Sequence, residues 1–200
     1  HWAAISANPG DNLIVTNFGT PQKSPVGGIE RRGGLIAGVA RWDQTGVAQI
    51  ITGDITVAQD ASLTISPGAL VKFDGGGPNC CTDALKISVE GTLDILATQQ
   101  AKVIVTSIHD DTVGGDTNGN IGQTGPVPGN YQGIEYRPGS RGDLRNVEFR
   151  YGARSGPGAR SGAVFVDAPQ EVSIDGMSVR DLHWAAISAN PGDNLIVTNF

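Results

Sequence analysis

The densest group of side chains that could do chemistry lies in the glycine-rich stretch SIHDDTVGGDTNGNIG, residues 107 to 122. It holds five carboxylate and amide side chains: Asp110, Asp111, Asp116, Asn118 and Asn120. Calcium takes about six to eight oxygen ligands from flexible loops, so these five residues are candidate calcium ligands. The full EF-hand pattern is missing, because the position where it needs Glu is Val127. The alternative is a polar turn whose side chains bond its own backbone.

A second set of charged residues has the types that polysaccharide cleavage uses, namely carboxylates and a basic group converging on a groove. These candidates are Asp110, Asp111, Glu135, Arg137, Arg145, Glu148 and Arg150. Two pairs among them, Glu135 with Arg137 and Glu148 with Arg150, are spaced to share one strand face. Such spacing is also typical of an ordinary charge ladder on the outside of a sheet. We therefore expect no enzymatic activity and keep cleavage as an alternative.

Cys80 and Cys81 are the only cysteines, and they are adjacent. With His1, His109 and His183 as the only histidines, the chain lacks the ligand pattern of a structural zinc site. The pair could close on itself as a vicinal disulfide, bond another chain, or stay reduced, and we favour an oxidised form. Disulfides persist only in oxidising compartments.

Three smaller features have both a functional and a structural interpretation. The triplet Arg141-Gly142-Asp143 matches a cell-attachment motif, but we interpret it as a turn with a salt-bridging pair. The aromatic residues Trp2, Trp42 and Trp184 could stack on sugars, although corner packing is favoured for the equivalent Trp2 and Trp184. The stretch ARSGPGARSG, residues 153 to 162, predicts an exposed, flexible loop.

One segment occurs twice without a substitution. Residues 1 to 18 and residues 183 to 200 both read HWAAISANPGDNLIVTNF, at an offset of 183 − 1 = 182 residues. Identity at a fixed period is the signature of a repeat array. We therefore predict a single structural unit over 1–200, in which 1–182 is one full repeat and 183–200 begins the next.

Composition places the chain among ordered β proteins and excludes some partners. Hydrophobic residues make up 38% of the chain, which is too many for disorder. The net charge of −6 argues against a nucleic-acid partner, since phosphate binding needs a basic surface. No apolar run is long enough to predict a membrane span.

Short β-branched runs separated by Gly, Pro, Asp and Asn predict strands of three to five residues throughout the chain. Examples are 55–57, 63–65, 69–73, 85–89, 93–96, 103–106, 134–136, 144–149, 163–166, 172–174, 186–188 and 195–197. The turns mostly lack the Asn-Gly and Asp-Gly tips of hairpins, so the chain is expected to coil rather than reverse. Related segments recur at roughly 20 to 25 residues, which predicts about eight coils per 182-residue repeat of a parallel β-solenoid.

Three stretches, residues 52–77, 84–120 and 126–153, closely resemble the right-handed parallel β-helix repeats of very large bacterial cell-surface and adhesin-like proteins. The resemblance implies an all-β, right-handed parallel β-helix at the bacterial cell surface. It implies a structural role as a stiff extracellular fibre or adhesin stalk. The expected partners are neighbouring copies of the repeat, in the same chain or end to end in a filament, and surface glycans. The alternative function is a carbohydrate-binding or polysaccharide-cleaving module.

Overall fold

A computed structural model of the chain describes residues 3–15, 26–75, 84–154 and 162–200. Within these ranges the chain forms 19 β-strands and no helix. This agrees with the short β-branched runs of the sequence, which favour extended backbone. The described residues therefore include no helix that could cross a membrane.

The strands form three parallel sheets. Sheet A has seven strands: β1 (Ala3–Ala7), β2 (Val26–Arg31), β5 (Ala48–Ile51), β8 (Leu70–Phe73), β11 (Val103–Ser107), β14 (Val147–Arg150) and β17 (Ser178–Arg180). Sheet B has six: β3 (Gly34–Ile36), β6 (Ile55–Val57), β9 (Lys86–Val89), β12 (Gly133–Tyr136), β15 (Val164–Val166) and β18 (Ile187–Ala189). Sheet C also has six: β4 (Val39–Trp42), β7 (Ser62–Ile65), β10 (Thr92–Leu96), β13 (Arg141–Arg145), β16 (Glu171–Asp175) and β19 (Leu195–Thr198).

From β2 to β19 the chain visits sheets A, B and C in strict rotation, and each strand pairs in parallel with the strand three places earlier. The exception is at the start, where β1 and β2 are consecutive in the chain and pair with each other in sheet A. All-β parallel pairing and the absence of hairpins among the described strands confirm the coarse fold prediction.

Inward-facing side chains form apolar columns along the sheets, although buried Gln49 and Arg31 interrupt those of sheet A. One column of sheet C runs through Trp42, Ile65, Ile95, Leu144, Ile174 and Val197. All but Val197 are fully or almost fully buried. Since each strand buries its inner face only against the strands beside it, the core extends as far as the stack does.

The prediction of about eight coils per repeat is wrong. Among the described residues each sheet has only six or seven strands over the 200-residue chain. The sequence estimate assumed a uniform spacing, but the register of sheet B steps by 21 residues from Gly34 to Ile55 and by 47 from Ile87 to Ile134. The larger step contains the Asp- and Asn-rich loop, which adds residues without adding a strand.

The predicted strand at 144–149 is in fact two strands. Asn146 has φ +50° and lies between β13 of sheet C and β14 of sheet A. Asn adopts this left-handed conformation more readily than most residues, and its side-chain amide donates to the Ala97 carbonyl at 3.1 Å. The residue is therefore a corner between two sheets.

Candidate functional site

The Asp- and Asn-rich loop folds back over the outer face of sheet A. Ile108 packs against Ala48, Ile50 and Leu70, which form a small second core outside the main one. Gly114 has φ +68°, and a Cβ there would overlap the Leu70 side chain. Glycine therefore favours this left-handed turn, which brings the loop close to the sheet.

A buried lysine lies beneath this loop. Lys72 of β8 is fully buried, and its Nζ donates to the Asp110 carbonyl at 2.9 Å, the Gly115 carbonyl at 3.1 Å and Thr117 Oγ1 at 2.9 Å. Burial lowers the pKa of Lys72 to about 8, although the carboxylates of the loop act in the opposite direction. The ammonium group thus lies where the loop oxygens converge and supplies a cation to them.

The sequence prediction missed Lys72, because a lysine in an alternating strand usually points to solvent. The burial of Lys72 could have been predicted from the apolar residues beside it on the outer face of sheet A. Ile50 and Leu70 also point outward, and both are covered. An outer face with several large apolar side chains needs a cover, and the long insertion at residues 108–131 supplies one.

Asp110, the first of the predicted calcium ligands, is engaged within the protein. Its Oδ2 accepts from Thr106 Oγ1 at 2.8 Å and its Oδ1 accepts from the Thr112 amide at 3.1 Å. Arg150 lies 3.5 Å from Oδ2. Burial raises the pKa of Asp110, but the hydrogen bonds from Thr112 and Thr106 outweigh it and hold that pKa below its usual range. Asp111 differs, because burial raises its pKa.

The other three predicted ligands shape the loop itself. Asp116 accepts from the backbone amides of Gly119 at 2.7 Å and Ile121 at 2.8 Å. Asn118 Nδ2 lies 3.0 Å from His109 Nδ1, and Asn120 Nδ2 donates to Thr124 Oγ1. These bonds are those of the polar-turn alternative. Across 3–15, 26–75, 84–154 and 162–200, no three Asp, Glu, His or Cys side chains are grouped as metal ligands. Calcium binding stays a prediction.

The candidate catalytic residues outside the loop do not converge on one groove. Glu148 and Arg150 lie in sheet A, Glu135 and Arg137 in or beside sheet B, and Arg145 in sheet C. Each carboxylate has cationic partners: Glu148 contacts Arg150 at 2.6 Å and Arg180 at 3.4 Å. Glu135 contacts Lys86 at 2.9 Å and Arg137 at 3.3 Å. This arrangement is the ordinary charge ladder that the spacing of these residues also indicated.

The interpretation of Arg141-Gly142-Asp143 as a turn is wrong. These residues begin β13, and the turn is the preceding Pro-Gly-Ser. The ion pair of Asp143 is with Arg145, while Arg141 Nε donates to Gln170 Oε1 at 2.5 Å. Gly142 faces inward, and a Cβ there would overlap the Tyr136 ring.

The tryptophans differ strongly in environment. Trp42 is fully buried, donates its indole N–H to the Pro9 carbonyl at 3.1 Å, and has the Arg31 guanidinium 5.2 Å from its ring centroid. Trp184 is 63% exposed, so the predicted packing role does not hold at that position. Trp2 lies outside the described residues.

Two further predictions fall wholly or mainly outside the described part of the chain. Cys80 and Cys81 lie within residues 76–83, which are not described, so the redox state of this pair stays a prediction. The predicted exposed loop at 153–162 lies mainly outside the described residues, because 155–161 are not described. Its first residue, Ala153, is buried rather than exposed.

A shallow groove lies on the outer face of sheet C. It has a volume of about 380 Å³ and is lined by Thr92, Asp94, Arg141, Gly142, Gln170 and Glu171. Burial raises the pKa of Asp94, whose carboxylate accepts from the Asp143 amide at 3.1 Å. The groove therefore offers both signs of charge beside neutral hydrogen-bonding groups. Two of its lining residues, Arg141 and Gly142, belong to the triplet that matches a cell-attachment motif.

No protein-family model matches this chain, and neither a curated protein nor a solved structure is significantly similar to it.

Proposed function

We propose that the chain is a structural repeat: a right-handed parallel β-helix that builds a stiff extracellular fibre or the stalk of a bacterial surface adhesin. One observation carries this proposal. The second copy of the repeated segment pairs in register on the preceding strands, Ile187 with Val164 in sheet B and Leu195 with Val172 in sheet C. The start of the next repeat is then simply the next coil of the same stack.

The expected mechanical property is stiffness along the stack. Parallel backbone ladders run through all three sheets, and one apolar core cluster runs beside them over most of the stack. A coil cannot bury its inner face alone, so bending the stack would expose apolar surface at each interface between coils. Length can therefore be added by repeating the unit, with no special site required.

The register also predicts the length of one repeat. In sheet B, β18 lies five strand spacings from β3. Residue 34 + 182 = 216 would begin the next strand, so 182 residues advance six spacings. At about 4.8 Å per spacing this is roughly 29 Å, rather than the roughly 38 Å that eight coils would give.

Electron microscopy of chains that carry one, two and three copies of 1–182, each followed by 183–200, tests this proposal. We expect unbranched rods whose length increases by about 29 Å per copy. A matched control has a flexible Gly/Ser linker between copies, which should break each rod into separate short segments. Compact particles from the uninterrupted chains would refute the fibre.

Calcium enters this proposal as an ion that would fix the Asp- and Asn-rich loop. If it does so, chelation lowers the melting temperature of the native protein and added calcium restores it. An unchanged transition would leave Lys72 as the cation that holds the loop oxygens.

Carbohydrate binding is the second candidate function, favoured by the polar groove on sheet C. Its groups are those that hydrogen-bond sugar hydroxyls, and Arg141 is one of the residues that line it. A glycan-binding assay with Arg141→Ala should show loss of binding. Arg145→Ala, which changes the same strand outside the groove, is the control. Equal binding by both variants would remove the groove from consideration.

A further inference from the structure

The outer face of sheet C carries three arginines: Arg41 of β4, and Arg141 and Arg145 of β13. Two of them are paired with an aspartate in or beside the same strand. Arg41 Nε lies 3.2 Å from Asp43, and Arg145 Nη2 lies 2.5 Å from Asp143. Arg141 differs, because it forms no ion pair with any residue that the structure describes. Its positive charge therefore stays available on this face of the sheet.

One hydrogen bond orients the Arg141 side chain. Its Nε donates to Gln170 Oε1 at 2.5 Å. The Gln170 backbone is fixed in turn, because its amide donates to the Ser140 carbonyl at 2.7 Å and its carbonyl accepts from Asn194 Nδ2 at 2.6 Å. A neutral acceptor at Nε leaves the donors on the two Nη atoms of the guanidinium available. The group is thus held in place while its charge and its outer donors can serve a ligand.

The other side chains that line the groove beside Arg141 are polar. They are those of Thr92, Asp94, Gln170 and Glu171. Asp94 Oδ1 accepts from the Asp143 amide at 3.1 Å, and Oδ2 has no partner among the described residues. Hydroxyl, amide and carboxylate groups of this kind bond sugar hydroxyls, whereas an apolar ligand would find no matching surface here. The groove therefore fits a ligand with many hydroxyl groups.

We propose that this groove binds a sugar unit that carries a carboxylate, as in the uronic acids of acidic glycans. Arg141 pairs with the sugar carboxylate through its Nη atoms, and Thr92 and Asp94 bond the ring hydroxyls. This inference rests on the carbohydrate-binding candidate and deepens it by naming the class of sugar. Pairs between a guanidinium and a carboxylate are bidentate and charge-assisted, so they contribute both orientation and affinity.

The negative charges of the groove limit how acidic this ligand can be. Glu171 of β16 is the register neighbour of Arg141, and Asp94 lies on β10 at the opposite side of β13. With Arg141 these two carboxylates give the groove a net charge of 1 − 2 = −1. Like charges repel, so a ligand with several anionic groups on each sugar is disfavoured. The charges favour one carboxylate per sugar unit, placed on Arg141.

Titration of the 200-residue chain with methyl glucuronoside and methyl glucoside, followed by NMR chemical shifts, tests this inference. The two sugars differ only at C6, which is a carboxylate in the first and a hydroxymethyl group in the second. We expect the glucuronoside to bind about tenfold more tightly, because a hydrogen bond to a charged group is stronger than one between neutral groups. Sodium acetate is the third probe. It has the carboxylate without the sugar and should bind more weakly than the glucuronoside.

Three variants locate the interaction. Arg141→Gln keeps hydrogen-bonding groups but removes the charge, so it should lower the affinity for the glucuronoside to that for the glucoside. Arg145→Gln is the matched control: it changes the same strand and the same face outside the groove, and it should keep the preference. Glu171→Gln should have the opposite effect and tighten glucuronoside binding, because it removes a repelling charge.

Equal affinities for the two sugars in the parent chain would overturn this inference and leave carbohydrate binding standing. A preference that persists in Arg141→Gln would overturn it as well, and so would acetate that binds as tightly as the glucuronoside. If neither sugar binds, the carbohydrate-binding candidate fails together with this inference. The fibre is judged separately, by the length of the rods.

Discussion

The two copies of HWAAISANPGDNLIVTNF are identical in sequence and differ in structure. The first contributes a strand to sheet A and folds its Asn8–Asp11 turn over the core, whereas the second contributes strands to sheets B and C. Local propensity is the same in both, so it cannot decide the placement. What differs is the set of neighbouring strands. In a solenoid the strand already in place acts as the template for the next one.

The largest expected effect tests how the first copy closes the core. Trp42→Ala should lower the free energy of unfolding by about 3–5 kcal/mol, because it leaves a large cavity beneath the first copy. Trp184→Ala, within the second copy, should change it by no more than about 0.5 kcal/mol, because that side chain is exposed. Urea denaturation of both variants measures the contrast. Equal losses would mean that the two copies have similar environments.

The next effect concerns Lys72, which lies between the two copies. Its pKa is about 8 in the folded chain, against an ordinary 10.5. Below pH 8 the ammonium is therefore charged in both the folded and the unfolded chain, and the full cost of burying this charge lowers the free energy of unfolding. Between pH 8 and pH 10 the unfolded chain binds more protons, and the free energy of unfolding should rise by roughly 2–3 kcal/mol. Above pH 10 it should fall again, since burial raises the pKa of Tyr131 and Tyr136.

Lys72→Met is the control for this pH dependence, because it keeps an unbranched side chain of similar length and removes the titrating group. Its stability should lack the rise of roughly 2–3 kcal/mol between pH 8 and pH 10. A rise that persists in this variant would assign the pH dependence to another group. Since Lys72 contacts neither copy, the contrast between Trp42→Ala and Trp184→Ala should be the same in the Met background.

The smallest effect comes from one asparagine in each copy. Asn12 accepts from the Arg41 amide at 2.7 Å and donates to the Val39 carbonyl at 3.1 Å, while Asn194 donates to the Gln170 carbonyl at 2.6 Å. Asn12→Ala should cost about 1–2 kcal/mol and Asn194→Ala about 0.5–1 kcal/mol. Amide hydrogen exchange should show faster exchange at Arg41 in the first variant alone. If the Arg41 amide also exchanges faster in Asn194→Ala, the two copies do not have separate positions in the fold, and the account is contradicted.

Much of the fold could be predicted from local sequence, and the reasons for the misses are physical. Alternation placed strands such as β7 and β10, because one face of each is buried and the other is not. It failed at Asn146, where a single left-handed residue turns an unbroken run of predicted strand into a corner. The number of coils was overestimated because loop length is not limited by the stack.

The candidate site shows a different limit. The sequence identified Asp110, Asp111, Asp116, Asn118 and Asn120 as one loop, and they do share one. It could not identify Lys72 as the cation among their oxygens, because the two segments are 38 residues apart at the Asp110 contact. Only the stacking of β8 beside β11 brings them together.

The most direct test of the central claim asks which strand lies beside Ser6. With Cys80 and Cys81 changed to Ser, the account predicts that Ser6→Cys forms a disulfide with Glu30→Cys and not with Leu35→Cys. In the second copy, Ser188→Cys should bond Phe165→Cys, its neighbour in sheet B. Paired strand positions lie within reach of a disulfide, so cross-linking reports the pairing. A bond within one chain between positions 6 and 35 would show that both copies occupy sheet B and would contradict the account.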